Sequence, residues 1–110
     1  MDVIRILMFL IVATSLETTG DAIVRIGIGQ TAWPQRMILF IAGAVLLFGY
    51  GLSVNLAPIE FSRVVGLYIA TLFVAWQVVN LIVFRAPPAM PVWFGGALIV
   101  AGGLIVTLWD

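Results

Sequence analysis

The chain has 110 residues, with five acidic residues, five arginines and a formal net charge of zero. Hydrophobic residues make up 64% of it and charged residues only 9%, whereas about a quarter of a soluble domain is charged. Such a composition cannot cover a water-facing surface, so it predicts an integral membrane protein. The zero net charge gives no basis for a nucleic-acid partner. The absence of cysteine excludes disulfides and thiol chemistry.

Four apolar segments follow one another along the chain, separated by short breaks rich in glycine and proline. They predict transmembrane α-helices at about 3–28, 35–56, 61–84 and 91–109. Each is close to the roughly 20 residues that a helix needs to cross about 30 Å of hydrocarbon. The four segments and their short connections use up the sequence. We therefore expect one all-α transmembrane domain over residues 1–110, with consecutive helices antiparallel.

The first segment has an alternative interpretation as a secretory signal peptide. Residues 6–13 would be its apolar core, and the small residues "ATS" its cleavage site. Against this, Asp2 accompanies Arg5 in the N-terminal region, and the apolar pattern continues well past Thr18. We therefore expect this segment to be the first membrane-spanning helix.

The first helix carries a polar stripe in which Glu17, Asp21 and Arg25 are one helical turn apart, flanked by Thr14 and Thr18. Because charges facing lipid are costly, we expect the stripe to face other helices or a water-filled cavity. Asp21 and Arg25 are near the helix end, where they can pair or reach the interface. Glu17 is about halfway along, where burial and the neighbouring acid favour its protonated form. It could exchange a proton for a cation, or simply hydrogen-bond to a neighbouring helix.

Aromatic rings would stabilise a cation held beside this carboxylate. Tyr68, inside the third helix, is the best candidate, and Trp76 is the second; Tyr50 and Trp33 complete the set. Tryptophan also anchors helices at membrane interfaces. That role better suits Trp33, Trp93 and Trp109.

The third helix contributes several further polar or small residues. Glu60 and Arg63, three residues apart at its start, predict a capping or interfacial ion pair rather than substrate contact. Gly66 would allow a bend or a close helix contact, and it is our candidate hinge. Asn80 is a further polar candidate, with hydrogen bonding between helices as its expected role.

Three residues of the first helix carry a family resemblance. The stretch "LETTGDAIVR" has a glutamate, a glycine three residues on and a basic residue five after that, here Glu17, Gly20 and Arg25. It resembles the first-helix signature of the small multidrug resistance family, part of the drug/metabolite transporter superfamily. The "WP" at 33–34 falls where that family often opens its second helix. Chain length and helix count are similar throughout.

The fourth helix resembles the family too, because "GGALIVAGG" repeats its glycine pattern. Gly95 and Gly102 are seven residues apart, with Gly96 and Gly103 in parallel. The third helix departs from the drug-exporting members, which typically carry a tyrosine and a tryptophan before a paired glycine motif. Its Arg-Val pair and nearby tyrosine, together with the downstream "VWFGGALI", look more like a less characterised sister branch of short four-helix inner-membrane proteins.

The resemblance implies an antiparallel homodimer of oppositely inserted copies, in which two glutamates face one chamber where protons compete with a small organic cation. Small residues let helices approach closely in lipid, so Gly95, Gly102 and Gly103 are the expected dimer interface; packing within one copy is the alternative. With both termini on one side, that side carries two arginines and the other three. This near balance suits dual insertion, although so few arginines report orientation weakly.

Two functions are therefore expected from different classes. The first is a proton-coupled antiporter that exports quaternary ammonium or guanidinium-like compounds across the inner membrane by alternating access. The second is a non-transporting membrane partner or regulatory subunit of the same fold. Without histidine, cysteine or a clustered set of metal ligands, we expect no enzyme activity, no cofactor and no metal.

Overall fold

The structure is a computed structural model that describes residues 3–56 and 61–109, without the side chains of residues 61–63. Its helices are α1 (Val3–Ile28), α2 (Trp33–Leu56), α3 (Phe61–Ile82) and α4 (Met90–Leu108). Each of these four helices is long and apolar enough to cross a membrane. This confirms the prediction of an all-α chain with four helices of spanning length, and it supports a multi-pass membrane protein.

The helix boundaries follow the positions of proline and of one left-handed residue. α2 begins at Trp33, two residues before the predicted start, because Pro34 in the first turn lacks only an N–H that no helical carbonyl needs. α3 ends at Ile82 instead of residue 84. Shortly beyond this end Arg85 has a φ of 52°, a conformation that a right-handed helix cannot continue. α4 likewise has a proline in its first turn.

The helices form an open row in the order α2, α1, α3, α4. α1 contacts α2 on one side and α3 on the other, and α3 also contacts α4. The row is 17 Å thick in its shortest dimension, compared with about 10–12 Å for one helix with its side chains. Large apolar side chains such as Phe48 and Leu98 are consequently 68% and 75% exposed within one copy.

Glycine allows α1 and α2 to cross in close contact. A Cβ atom added to Gly43 of α2 would lie 2.9 Å from the carbonyl oxygen of Gly20 and 2.5 Å from a Val24 methyl group. Helices in lipid associate through packing, since the surrounding acyl chains are as apolar as the side chains. Backbone contact at Gly20 and Gly43 is therefore a principal attachment of α2.

The α3–α4 contact uses the same device at Gly66 and Gly103. A Cβ atom on Gly66 would be 2.7 Å from the Gly103 carbonyl oxygen, and one on Gly103 would collide with the Gly66 carbonyl. Nearby, the Leu67 amide donates a hydrogen bond to the Thr107 hydroxyl at 2.9 Å. Gly66 therefore makes a close helix contact, one of its two expected roles. Gly103, expected at a dimer interface, packs within its own chain, as the alternative interpretation had it.

The main buried cluster joins α1 to α3 and comprises Ile6, Leu10, Val64, Leu67 and Tyr68. In this cluster, residues near the start of α1 contact residues near the start of α3. Arg25, near the end of α1, packs on Trp76, which is farther along α3. The two helices therefore run in the same direction. This parallel contact places the middle of α1 beside the middle of α3.

Replacing Gly43 with alanine should lower the free energy of unfolding by about 1–3 kcal/mol, because the added methyl group overpacks the α1–α2 crossing. Gly51→Ala on the same helix is the matched control, since a Cβ there meets nothing within 4 Å. It should be neutral or stabilising, because alanine favours helix by about 1 kcal/mol over glycine. Denaturant unfolding in micelles measures both. Equal effects at the two sites would contradict this crossing.

Candidate functional site

Glu17 is on the part of α1 that contacts α3. Its side chain is half-buried, and its Oε1 accepts a hydrogen bond of 2.5 Å from the hydroxyl of Tyr68 on α3. Tyr68 itself is only 8% exposed. The predicted proton-binding residue and its best aromatic candidate are thus in direct contact.

Tyr50 of α2 extends this contact into a chain of three polar groups. Its hydroxyl oxygen is 2.5 Å from that of Tyr68, and the two rings are tilted by 55° with centroids 6.5 Å apart. A tyrosine hydroxyl has one hydrogen, and that of Tyr68 is donated to Glu17. When Glu17 is ionised and accepts this hydrogen, Tyr50 is the donor to Tyr68. The sequence offered Tyr50 only as a lesser candidate, because residues on different helices have no spacing that relates them.

Asp21 and Arg25 form an ion pair with 3.7 Å between Nη2 and Oδ2, and both side chains are about half exposed. This is the arrangement expected for charges near a helix end. Among the residues that the structure describes, this pair engages Arg25, and none of the arginines with described side chains pairs with Glu17. Glu17 thus has no ion-pair partner among the side chains that the structure describes.

The guanidinium of Arg25 also packs on two aromatic rings. Its Cζ atom is 5.5 Å from the ring centroid of Trp76 and 4.8 Å from that of Phe84. Trp76 was expected to face a bound cation, and the structure places it against a cation of the chain itself. Phe84 received no role in the predictions from the sequence, which placed it at the end of the third helix, whereas α3 ends at Ile82.

Thr14 and Thr18 are fully buried, but their hydroxyl hydrogens are used within α1. They donate to the carbonyl oxygens of Leu10 and Thr14 at 2.7 and 2.8 Å. Both threonines line a cavity of about 420 Å³ between α1 and α3, together with Thr71. Glu17 does not line this cavity. The members of the predicted polar stripe therefore have different surroundings: Thr14 and Thr18 line the cavity, whereas Glu17 contacts Tyr68.

The remaining predicted residues have different positions. Glu60 and the side chain of Arg63 lie outside what the structure describes, so their predicted ion pair stays a prediction. Asn80 is half-buried near the end of α3. The expected interfacial anchors lie at or near helix ends with exposures of 63–78%; they are Trp33, Trp93 and Trp109.

The glycines of α4 divide between two faces. Gly96 and Gly103 are buried against α3, where a Cβ atom on Gly96 would be 2.5 Å from Phe73. Gly95 and Gly102 would meet nothing within 4 Å. One copy of the chain therefore leaves the second pair uncovered.

These features define a multi-pass membrane protein with a tyrosine-bound carboxylate in its first helix. Comparison of the chain with models of protein families, with curated proteins and with solved structures found no match. The resemblance to small multidrug resistance proteins thus remains a hypothesis based on the residues quoted above.

Arg25→Gln should destabilise the fold more than Asp21→Asn, because the arginine packs on two rings as well as pairing with the acid. The loss in Asp21→Asn should stay under about 1 kcal/mol, since exposed ion pairs contribute little. Denaturant unfolding in micelles provides the comparison. A larger loss for Asp21→Asn would show that the ion pair, and not ring packing, holds this end of α1.

Proposed function

We propose that this protein is a proton-coupled antiporter that exports small organic cations, such as quaternary ammonium or guanidinium-like compounds, across the inner membrane. The observation that carries the proposal is Glu17. It is a half-buried acid in the middle of a spanning helix, hydrogen-bonded by Tyr68 and unpaired with any described arginine. Ionisable residues at such depth are expensive and mark ion or substrate pathways.

The surroundings of Glu17 suit a cation with apolar parts. The Tyr68 hydroxyl contacts the carboxylate and the Tyr50 hydroxyl contacts that of Tyr68, so two aromatic side chains belong to the site. A cation can be attracted both by the carboxylate and by such ring faces. Within the same chain, the packing of Arg25 on Trp76 and Phe84 is an example of a guanidinium held by an acid and aromatic rings together.

We propose further that the working unit is an antiparallel homodimer. Within one copy, Glu17 does not line the described cavity between α1 and α3. A second copy laid against the row would cover the apolar side chains that are now exposed. The uncovered Gly95 and Gly102 support a contact between the two α4 helices. The near balance of arginines between the two ends is compatible with insertion in both orientations.

In this dimer the two Glu17 carboxylates would share one dehydrated chamber and titrate as a coupled pair. A bound cation favours their ionised forms and bound protons their neutral forms, so the two ligands exclude each other. The Tyr68 hydroxyl contacts the acid, and the Tyr50 hydroxyl contacts that of Tyr68. Asp21 is one turn along α1 and is paired with Arg25. Alternating access would then let a proton gradient drive the cation outward.

A non-transporting membrane partner of the same fold is the second candidate. It is favoured by the fact that Tyr68 satisfies Glu17 within one chain, as a purely structural acid requires. The two functions differ in whether Glu17 exchanges its proton with water and cations.

The pH dependence of cation binding tests the mechanism. Cation affinity should rise with pH through the neutral range, because deprotonation supplies the negative charge, and binding should release protons. Glu17→Gln keeps the shape of the site but fixes it as neutral, so it should abolish pH-dependent binding and leave the protein folded. Glu17→Asp should retain exchange with a shifted pH dependence. Calorimetry in buffers of different ionisation enthalpy measures both binding and proton release.

Transport in vesicles decides between the two candidate functions. Proteoliposomes with an imposed proton gradient should take up or release tetrapropylammonium only when Glu17 is present. If the Glu17→Gln protein still moves the cation against its gradient, the carboxylate is structural and the antiporter proposal is wrong.

The proposed dimer predicts that leucine at Gly102 and leucine at the adjacent Gly103 have different effects. Gly102→Leu should block association by its bulk while each copy still folds, because Gly102 is uncovered within one chain. Gly103→Leu should instead disrupt the α3–α4 contact and lower the yield of folded protein. Crosslinking and energy transfer between labelled copies in lipid measure association. Unchanged association of the Gly102→Leu protein would remove this face from the interface.

A further inference from the structure

We propose that Tyr50 is a positioning residue that controls proton binding at Glu17 through Tyr68, so that the position of α2 determines which ligand the carboxylate favours. The inference deepens the proposed function and rests on it, since it concerns the same exchange of a proton for a cation. It assigns α2 a part in that exchange, although α2 contributes no acid to the site.

The hydrogen-bond directions are fixed by the number of hydrogens when Glu17 is ionised. Tyr50 and Tyr68 have one hydroxyl hydrogen each, and the chain has two links to fill. Tyr68 donates to the carboxylate, so Tyr50 donates to Tyr68. Donation into the Tyr68 oxygen polarises its own O–H group and strengthens the bond to Glu17, by about 10–30% per bond in condensed-phase estimates.

Protonation of Glu17 disturbs this match between hydrogens and links. Three hydrogens then compete for the same two links, and one of them must find an acceptor outside the chain. The Tyr50–Tyr68–Glu17 chain therefore has one hydrogen for each of its two hydrogen bonds when the acid is ionised, and one hydrogen too many when the acid is neutral. This difference favours the ionised form. Loss of the Tyr50 link removes part of this preference.

The fold makes this link sensitive to helix movement. The backbones of α2 and α3 do not approach each other in the described structure, since α1 lies between them in the row. The hydroxyl contact of Tyr50 and Tyr68 bridges that separation. A shift of α2 relative to α3 would break this bridge while Tyr68 remains bonded to Glu17. Alternating access requires such relative movement of helices, so α2 can couple the conformation to proton release.

Among the described groups around Glu17, the hydroxyls of Tyr50 and Tyr68 are the ones that a helix movement can connect to the acid or disconnect from it. On α1 the nearest acid, Asp21, has its charge paired with Arg25. In the described structure, the Tyr68 hydroxyl of α3 contacts Glu17, and the Tyr50 hydroxyl of α2 contacts that of Tyr68. α4 does not contact α1.

The test is a direct titration of the Glu17 carboxyl group in lipid, without any cation. The infrared C=O band of the protonated acid reports its charge state, and Glu17→Gln identifies that band by removing it. Tyr50→Phe should move the midpoint to higher pH by about half a pH unit, a roughly threefold change in proton affinity. The pH midpoint of tetrapropylammonium binding should move in the same direction.

Ser53→Ala is the matched control for Tyr50→Phe. The Ser53 hydroxyl is on the same helix and donates to the Gly49 carbonyl oxygen at 2.8 Å. Its removal should leave both midpoints unchanged.

A double-variant cycle shows whether the effect passes through Tyr68. Tyr68→Phe should give a larger shift than Tyr50→Phe, and adding Tyr50→Phe to it should give no further shift. An equal Tyr50→Phe shift with Tyr68 present and with Tyr68→Phe, or no shift in either case, would overturn the inference.

Incorporating 3-fluorotyrosine at position 50 makes that hydroxyl a stronger donor and should shift the midpoint to lower pH. Loss of folding cannot produce this opposite sign.

The outcomes also separate this inference from the proposed function. If Glu17→Gln retains its pH-dependent cation binding, the antiporter proposal is wrong, while the infrared titration still reports on Tyr50. If Glu17→Gln loses that binding and Tyr50→Phe leaves the carboxyl titration unchanged, the antiporter stands and the role of Tyr50 is refuted.

Discussion

Backbone contact at glycines is the constraint on which this structure depends. Acyl chains around a membrane helix are as apolar as its side chains, so burial of apolar surface drives association only weakly. Close packing must supply the attraction instead. At Gly20 with Gly43 and at Gly66 with Gly103, the carbonyl oxygen of one helix lies where a Cβ atom on the other would collide with it. These two crossings, with the α1–α3 cluster between them, hold the helices in a row.

The order of the row explains the surroundings of Glu17. α1 lies between α2 and α3, so an acid in the middle of α1 can be reached by side chains from both neighbours. Tyr68 of α3 contacts the acid directly, and Tyr50 of α2 is connected to it through Tyr68. The polar groups thereby satisfy one another at a depth where unpaired groups would be costly. Such a chain of donors also makes the acid responsive to its neighbours, because each hydroxyl has only one hydrogen to give.

The open row connects the fold to the proposed exchange of protons for cations. A one-layer arrangement leaves both faces of the helices uncovered, and in the proposed dimer the second copy would enclose the face around Glu17. Enclosure matters for the mechanism because two carboxylates interact strongly only where water is scarce. The charged groups that have partners of their own, Asp21 and Arg25, lie near the helix end, where half-exposed ion pairs are tolerated.

The sequence by itself determined the number and approximate extent of the helices, because lipid requires long apolar segments and proline and glycine interrupt them. It also singled out Glu17, since an acid inside such a segment is conspicuous, and it ranked Tyr68 first among the aromatic residues. It could not join Tyr50 to Tyr68, place Trp76 against Arg25, or separate Gly103 from Gly102. Those relations depend on which faces of different helices meet. Apolar periodicity gives little guidance there, because in lipid nearly every face of a helix is apolar; only the tertiary packing decided them.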